Sequence, residues 1–177
     1  TKGAFYYHFD SKESVASAII DEAFQKIVAA SDATIDSSSP LLEDIIAATF
    51  AVARVTATDE TARVGKQLAQ SLSQVSDHGP KAFLDWTALF VGQMAAAVGR
   101  GGLCQDMDPH EVGETVWVAM LGCHLLSDAI GDDIHDRLAR AWRVLLTGIV
   151  PQRSLPYFLD FVTRTHQTYA NSRCPAQ

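Results

Sequence analysis

Apolar residues recur at every third or fourth position along almost the whole chain, as in "LLEDIIAATFAVARV" and "DDIHDRLARAWRVLL". That spacing lays one apolar stripe along a helix and does not fit the two-residue period of a half-buried strand. No convincing strand alternation is found. Polar punctuation cuts the pattern into pieces. A first helix is expected from "DSKES" to about Ala30, capped by Asp10 or Ser11, with Glu13 placed for a capping box. The Ser-rich loop "SDATIDSSSP" follows, and Ser39-Pro40 starts the second helix. A third is capped by Asp59 or a neighbour and broken by "SDHGP"; a fourth runs from Lys81 to "GRGG". Asp108-Pro109-His110-Glu111 combines a cap, a first-turn proline and an acid, and opens a fifth helix that ends at Gly131. "DDIHDRLARAWRVLLTGIV", stopped by Pro151, and "SLPYFLDFVTRTHQTYA", with a frayed tail, are the last two. Asp132, Asp133 and Asp136 are acids favoured by a helix N-terminus. These pieces do not repeat, which excludes a solenoid and leaves an all-α bundle.

The chain has 177 residues, enough for one or two domains and a sizeable core. No stretch reads as a signal peptide or a membrane span; "VWVAMLGCHLL" is too short to cross a bilayer and follows Glu114. A membrane partner is therefore not expected. Net charge is −7, so any contact with nucleic acid must be local. Cys104, Cys123 and Cys174 match no metal or redox spacing and suit reduced thiols in a cytoplasmic protein. No metal and no cofactor are expected.

Enzyme motifs are missing. "HEVGE" lacks the second histidine of a zinc protease, "GRGG" is neither a P-loop nor a dinucleotide loop, and there is no nucleophile elbow. The chain is not expected to be an enzyme.

The opening "TKGAFYYHFDSKES" is a compact, donor-rich stretch. Thr1 suits a cap. Gly3 and Ala4 keep one side slim enough for a phosphate backbone. Phe5 and Phe9 share one face, while Lys2, Tyr6, Tyr7 and His8 carry donors on the rest. Such a short helix suits a DNA major groove, most of its bonds going to phosphates. This segment resembles the "TKGALYFHFxSKExLA" stretch of TetR-family transcriptional repressors, with Phe5 and Tyr7 as the differences at its core. The resemblance implies the recognition helix of a helix-turn-helix, with Thr1, Lys2, Gly3, Tyr6, Tyr7, His8 and Lys12 toward operator DNA. It further implies that two helices belong before position 1. Residues 1–12 are then the end of the DNA-binding domain, and 13–177 form the ligand-binding and dimerisation domain.

"RVGKQLAQ…FLDWTALF", "ETVWVAMLGCHLLSDAI" and "AWRVLLTGIVP" are similar to the γ-butyrolactone autoregulator receptors of actinomycetes and their butenolide- or furan-sensing relatives. The likeness centres on Trp86, which matches the family's D/E-W-x tryptophan. It covers most of the chain loosely, and the stretch from Ser73 to Pro80 has no counterpart. The implied function is a homodimeric repressor released from its operator by a small hydrophobic signal. A repressor of the same family that senses another hydrophobic compound, such as an antibiotic, is the alternative.

At about 100° per residue, Phe83, Trp86, Phe90, Gln93, Met94 and Ala97 share one helix face. A Gln in that face reaches either a ligand oxygen or water at the edge. Trp86 is either plain core or, as the resemblance implies, a ligand wall. In the helix before it, Val64, Leu68 and Val75 make an apolar stripe; Gln67 and Gln70 lie opposite, on a solvated face or a pocket wall. On the fifth helix, Trp117, Leu121 and His124 cluster on one side. Val118, Gly122, Leu125 and Ala129 lie on another. A helix apolar over so much of its girth must be covered on several sides. The first set suits a ligand cavity, although His124 equally suits a hydrogen-bonded core position. The second suits a dimer axis, which the resemblance places at helices near 110–130 and 134–149.

Overall fold

The computed structural model describes the backbone over residues 12–36, 38–72, 78–99, 103–104 and 107–171, with side chains at 72, 78–83, 98 and 99 left undescribed. The expected DNA-facing residues Thr1, Lys2, Gly3, Tyr6, Tyr7 and His8 lie outside this set. Among the described residues there are seven helices and no strand: α1 Lys12–Asp32, α2 Leu41–Thr58, α3 Glu60–Leu72, α4 His78–Gly99, α5 Pro109–Ile130, α6 Ile134–Ile149 and α7 Leu155–Asn171. The all-α expectation is met.

The caps are mostly where the sequence puts them. Asp59 Oδ1 accepts from the Ala62 amide at 2.9 Å at the start of α3. Asp108 Oδ1 accepts from His110 N at 2.7 Å, with Pro109 opening α5 where a missing N–H is harmless. Gly131 closes α5 at φ 71°, and its amide bonds Ser127 O at 2.8 Å. A side chain there would strain the left-handed turn. Asp133 caps α6 through His135 N at 2.8 Å. One boundary differs from expectation. α4 begins at His78 rather than Lys81, because Pro80 falls within the first turn and needs no backbone partner there.

The helices sort into two compact units: Thr1–Ala29 with Val55–Trp86, and Ala30–Arg54 with Thr87–Gln177. In the second, α5 and α7 both pack on α6. Its core is centred on Trp142 and Phe50, both fully buried. The Trp142 indole N–H donates to Thr49 Oγ1 at 2.9 Å, so the largest core side chain leaves no polar atom unmatched. Phe50, His135 and Tyr169 stack with centroids 5.5–6.1 Å apart, joining α2, α6 and α7. α5 buries Val112, Val116, Met120 and Cys123. This is a stripe distinct from both faces singled out in the sequence.

In the first unit the buried positions of α3 are Ala62, Gly65, Lys66 and Ala69. That corrects the expected Val64–Leu68 stripe, whose residues are only half-buried; Val75 lies outside the described residues. The reason is the closeness of α1. A Cβ at residue 65 would stand 2.3 Å from Ala23 Cβ and 2.8 Å from the Ile19 carbonyl oxygen. Only small side chains fit that seam, so space rather than hydrophobicity chose the face.

Gly65→Ala is therefore expected to destabilise the protein by about 1–3 kcal/mol. The clash outweighs the gain of about 0.5–1 kcal/mol from better helix propensity. Urea unfolding of Gly65→Ala beside Ala23→Gly/Gly65→Ala checks this; the double variant, freed of the Cβ–Cβ clash, should recover part of the loss.

Candidate functional site

α4 runs from His78 to Gly99 and carries the aromatic face. Trp86 is only 7 % exposed. Its ring stacks on Phe24 of α1 with centroids 6.1 Å apart and planes 13° from parallel. Phe24 follows Ala23, the residue against which Gly65 packs. Two residues further on, Lys26 Nζ bonds both carboxylate oxygens of Asp59 at 2.9 and 2.7 Å. Asp59 thus caps α3 and holds α1 with one side chain. Its hydrogen bond from Lys26, then that from the Ala62 amide, keeps its carboxyl below the usual carboxylate value. The same bond, opposed by desolvation, raises the Lys26 ammonium above its ordinary value.

The second unit holds the later residues of α4. Phe90 packs against the core and its ring meets Trp117 of α5 at 5.4 Å and 39°. Gln93 is half-buried, whereas Met94 and Ala97 are fully buried. Leu121 and His124 are half-buried beside Trp117 on α5. On α3, Gln67 is exposed and Gln70 half-buried. Lys12, the one expected DNA-facing residue described, is exposed at the start of α1. The Phe83 side chain is not among those described.

The other side of α5 has a different character. Val118 is 60 % exposed and Leu125 58 %, with Gly122 and Ala129 exposed between and beyond them. No atom of this chain lies within 4 Å of a Cβ built on Gly122. Leu126 and Ile130 on α5 and Val144 on α6 are exposed as well. α5 thus leaves several large apolar side chains bare in the single chain, more than scattered surface residues would give.

Three features were not singled out in the sequence. Phe24 lies four residues after the buried Ile20 and so falls on α1's inner stripe by spacing, but nothing local names Trp86 as its partner. Lys26 looks like any surface lysine until Asp59 arrives from across the unit. The second unit also holds an open cleft of about 360 Å³ with an apolar floor of Val112, Val116, Leu145 and Ile149. Met107, Asp108, Glu111 and Thr115 complete its lining, and none of the expected ligand residues lines it. Among the described residues no group of His, Cys, Asp or Glu is arranged to hold a metal, and no helix is long and apolar enough to cross a membrane.

Comparison with known proteins is consistent in direction. Residues 38–151 match the family described as "Tetracyclin repressor-like, C-terminal domain". The A-factor receptor protein of Streptomyces griseus is 28 % identical over 151 residues, which cover 84 % of this chain. The match spans about half of that relative, 52 % of its length. A crystal structure of a γ-butyrolactone receptor, described as ArpA-like, superposes with a TM-score of 0.79 at 26 % identity, covering 95 % of this chain and 81 % of that one. CprB of Streptomyces coelicolor, a TetR-family protein solved with its biological operator sequence, gives 0.75 at 26 %, covering 94 % and 81 %.

The Lys26–Asp59 pair predicts a specific acid response. Asp59 has a lowered pKa when folded, so its contribution is present above the unfolded carboxylate value, near 3.8, and fades as pH falls through the lower folded value. Asp59→Asn should melt below wild type at neutral pH, and the gap should close in acid. Thermal melts of both proteins across that range provide the measurement; a gap that stays constant would remove the pair from the stability of this unit.

Proposed function

This chain belongs to the tetracyclin repressor-like C-terminal domain family, and from that premise we propose that it acts as a ligand-responsive transcriptional repressor. It works in the cytoplasm as a homodimer on operator DNA, and a small hydrophobic signal of the γ-butyrolactone or butenolide type releases it. The observation that carries the reading is the likeness, at 26 % identity over 95 % of this chain, to a γ-butyrolactone receptor. The similarity to a protein named for A-factor points to the same effector class.

The proposed roles follow the chemistry of each face. Thr1, Lys2, Tyr6, Tyr7, His8 and Lys12 donate to phosphates and base edges, while Gly3 allows the backbone close to the groove. One basic patch on an acidic chain keeps attraction to DNA local. The α4 face that carries Trp86, Phe90 and Gln93 by helical spacing takes the effector: rings for its aliphatic part, an amide for its carbonyl. Phe83, Gln67, Gln70, Trp117, Leu121 and His124 are further candidates for ligand contact. Val118, Gly122, Leu125 and Ala129 lie in the dimer interface, where a two-fold axis would bring the same patch of a second copy against them.

Release is a matter of differential affinity. The effector favours a conformation in which the two DNA readers are spaced wrongly for successive major grooves, and that preference weakens DNA binding by the same factor that DNA weakens the effector. α1 joins reader to effector face, since it starts at Lys12 and reaches Trp86 through Phe24.

If Trp86 is an effector contact, Trp86→Ala should weaken binding of a γ-butyrolactone by roughly 30- to 150-fold, from about 2–3 kcal/mol of lost apolar contact. A purely structural Trp86 would instead cost about 3–5 kcal/mol in stability as a cavity. Calorimetric titration with a melt alongside separates the two. A folded variant of unchanged lactone affinity would refute the role.

The dimer reading predicts that the wild-type chain sediments as a dimer at micromolar concentration. Gly122→Leu and Leu125→Lys should shift it toward monomer with little change in the melt of the single chain, because both sites are exposed there. Dimers that survive both substitutions would move the interface elsewhere.

A further inference from the structure

We propose that Phe24 is the positioning residue that couples the indole of Trp86 to α1, so that displacement of one ring tilts the helix. The proposal rests on the reading of Trp86 as an effector contact. Among the described contacts of the first unit, α1 is held at Ala23, Phe24 and Lys26. The first reaches α3 at Gly65, and the last reaches Asp59, which caps it. Phe24 reaches α4, the helix of the aromatic face.

The three contacts differ in kind. The Ala23–Gly65 seam is a hard contact of backbone and methyl with no room to compress, as the 2.3 Å and 2.8 Å clearances for an added Cβ show. It acts as a fulcrum. The Lys26–Asp59 bonds involve a flexible side chain that tolerates rotation. The Phe24–Trp86 pair is a near-parallel stack, and such rings lose their attraction as they slide out of overlap. A shift of the indole therefore either drags Phe24 or releases it. Lys12 lies eleven residues before Ala23, which is about 16 Å along a helix, so a tilt of about 10° at Ala23 moves that end by about 3 Å. A movement of that size at the start of α1 is enough to misplace donors that must meet phosphates at hydrogen-bond distance.

The test uses the 177-residue chain and a synthetic γ-butyrolactone carrying an aliphatic acyl chain. Affinity is read by calorimetry, and the response of α1 by amide hydrogen exchange over residues 12–22, with and without lactone. Phe24→Leu keeps an apolar side chain and removes the ring; Phe24→Tyr keeps the ring. Wild type should bind the lactone and change its exchange over 12–22. Phe24→Leu should bind within about threefold of wild type, a minor change in affinity, yet lose most of that exchange response. Phe24→Tyr should retain it, which a merely structural role for the position would not require if both variants melt alike. A full wild-type response in lactone-bound Phe24→Leu overturns the coupling role while leaving the effector reading intact. So does a wild type that binds lactone without any change in α1. Loss of lactone affinity in Phe24→Leu as large as in Trp86→Ala also overturns it, making Phe24 a contact rather than a coupler. A wild type that binds no lactone removes the effector reading and the coupling with it.

Discussion

The missing side chain at residue 65 sets the geometry of the first unit. Because α3 presents a hydrogen where any other residue would present a carbon, α1 comes to rest against its backbone. That closeness fixes which residues of α1 face inward, and so brings Phe24 to Trp86 and Lys26 to Asp59. Its effect is to reduce the freedom of everything attached to it. A large residue in the seam would have given more apolar burial and a looser, more adaptable helix pair. The small residues give a fixed one, and a fixed pivot is what a helix needs if it is to carry a displacement along its length.

α5 shows how one amphipathic pattern serves three surroundings. Val116 and Met120 belong to the core of the second unit, Trp117 and Leu121 to a half-covered flank, and Val118 and Leu125 to a bare outer face. The last of these is costly for a chain on its own, since exposed apolar area invites association without choosing the partner. Gly122 leaves a shallow place in the middle of the stripe, with no atom of this chain within 4 Å of where a Cβ would stand. Trp142, by contrast, is committed inward with its N–H bonded to Thr49, so α6 presents its Arg140 and Arg143 side outward.

Much of the fold is legible in the residues alone. The order of the described helices, the caps Asp59 and Asp108, and the glycine stop at 131 follow from local chemistry; Asp133 is marked there only as one of three acids at a helix start. That α5 is apolar over most of its girth is legible too, while which side stays bare is seen only in the structure. Hydrophobicity misleads on the inner face of α3, where Val64 and Leu68 outrank Ala62, Gly65 and Ala69 in apolar character but not in fit. The deepest stripe of α5 escapes for a related reason: on a helix apolar nearly all round, periodicity does not say which side lies deepest. Partners distant in sequence, Phe24 with Trp86 and Lys26 with Asp59, leave no mark on the residues around them. The start of α4 lies at His78, ahead of the break that Pro80 suggests, because a proline inside the first turn ends nothing.

Asp59 carries two duties on one carboxylate, and this restricts how the position can change over time. Asparagine preserves the cap on α3 but surrenders the charge that Lys26 seeks. Glutamate preserves the charge but is a poor cap, its longer chain carrying the oxygens past the amides it must meet. Serine and threonine cap well and carry no charge at all. None of these replacements keeps both functions, so each gives up either the cap on α3 or the bond to Lys26. Across thirty-three positions of sequence, one carboxylate therefore joins the start of one helix to the flank of another.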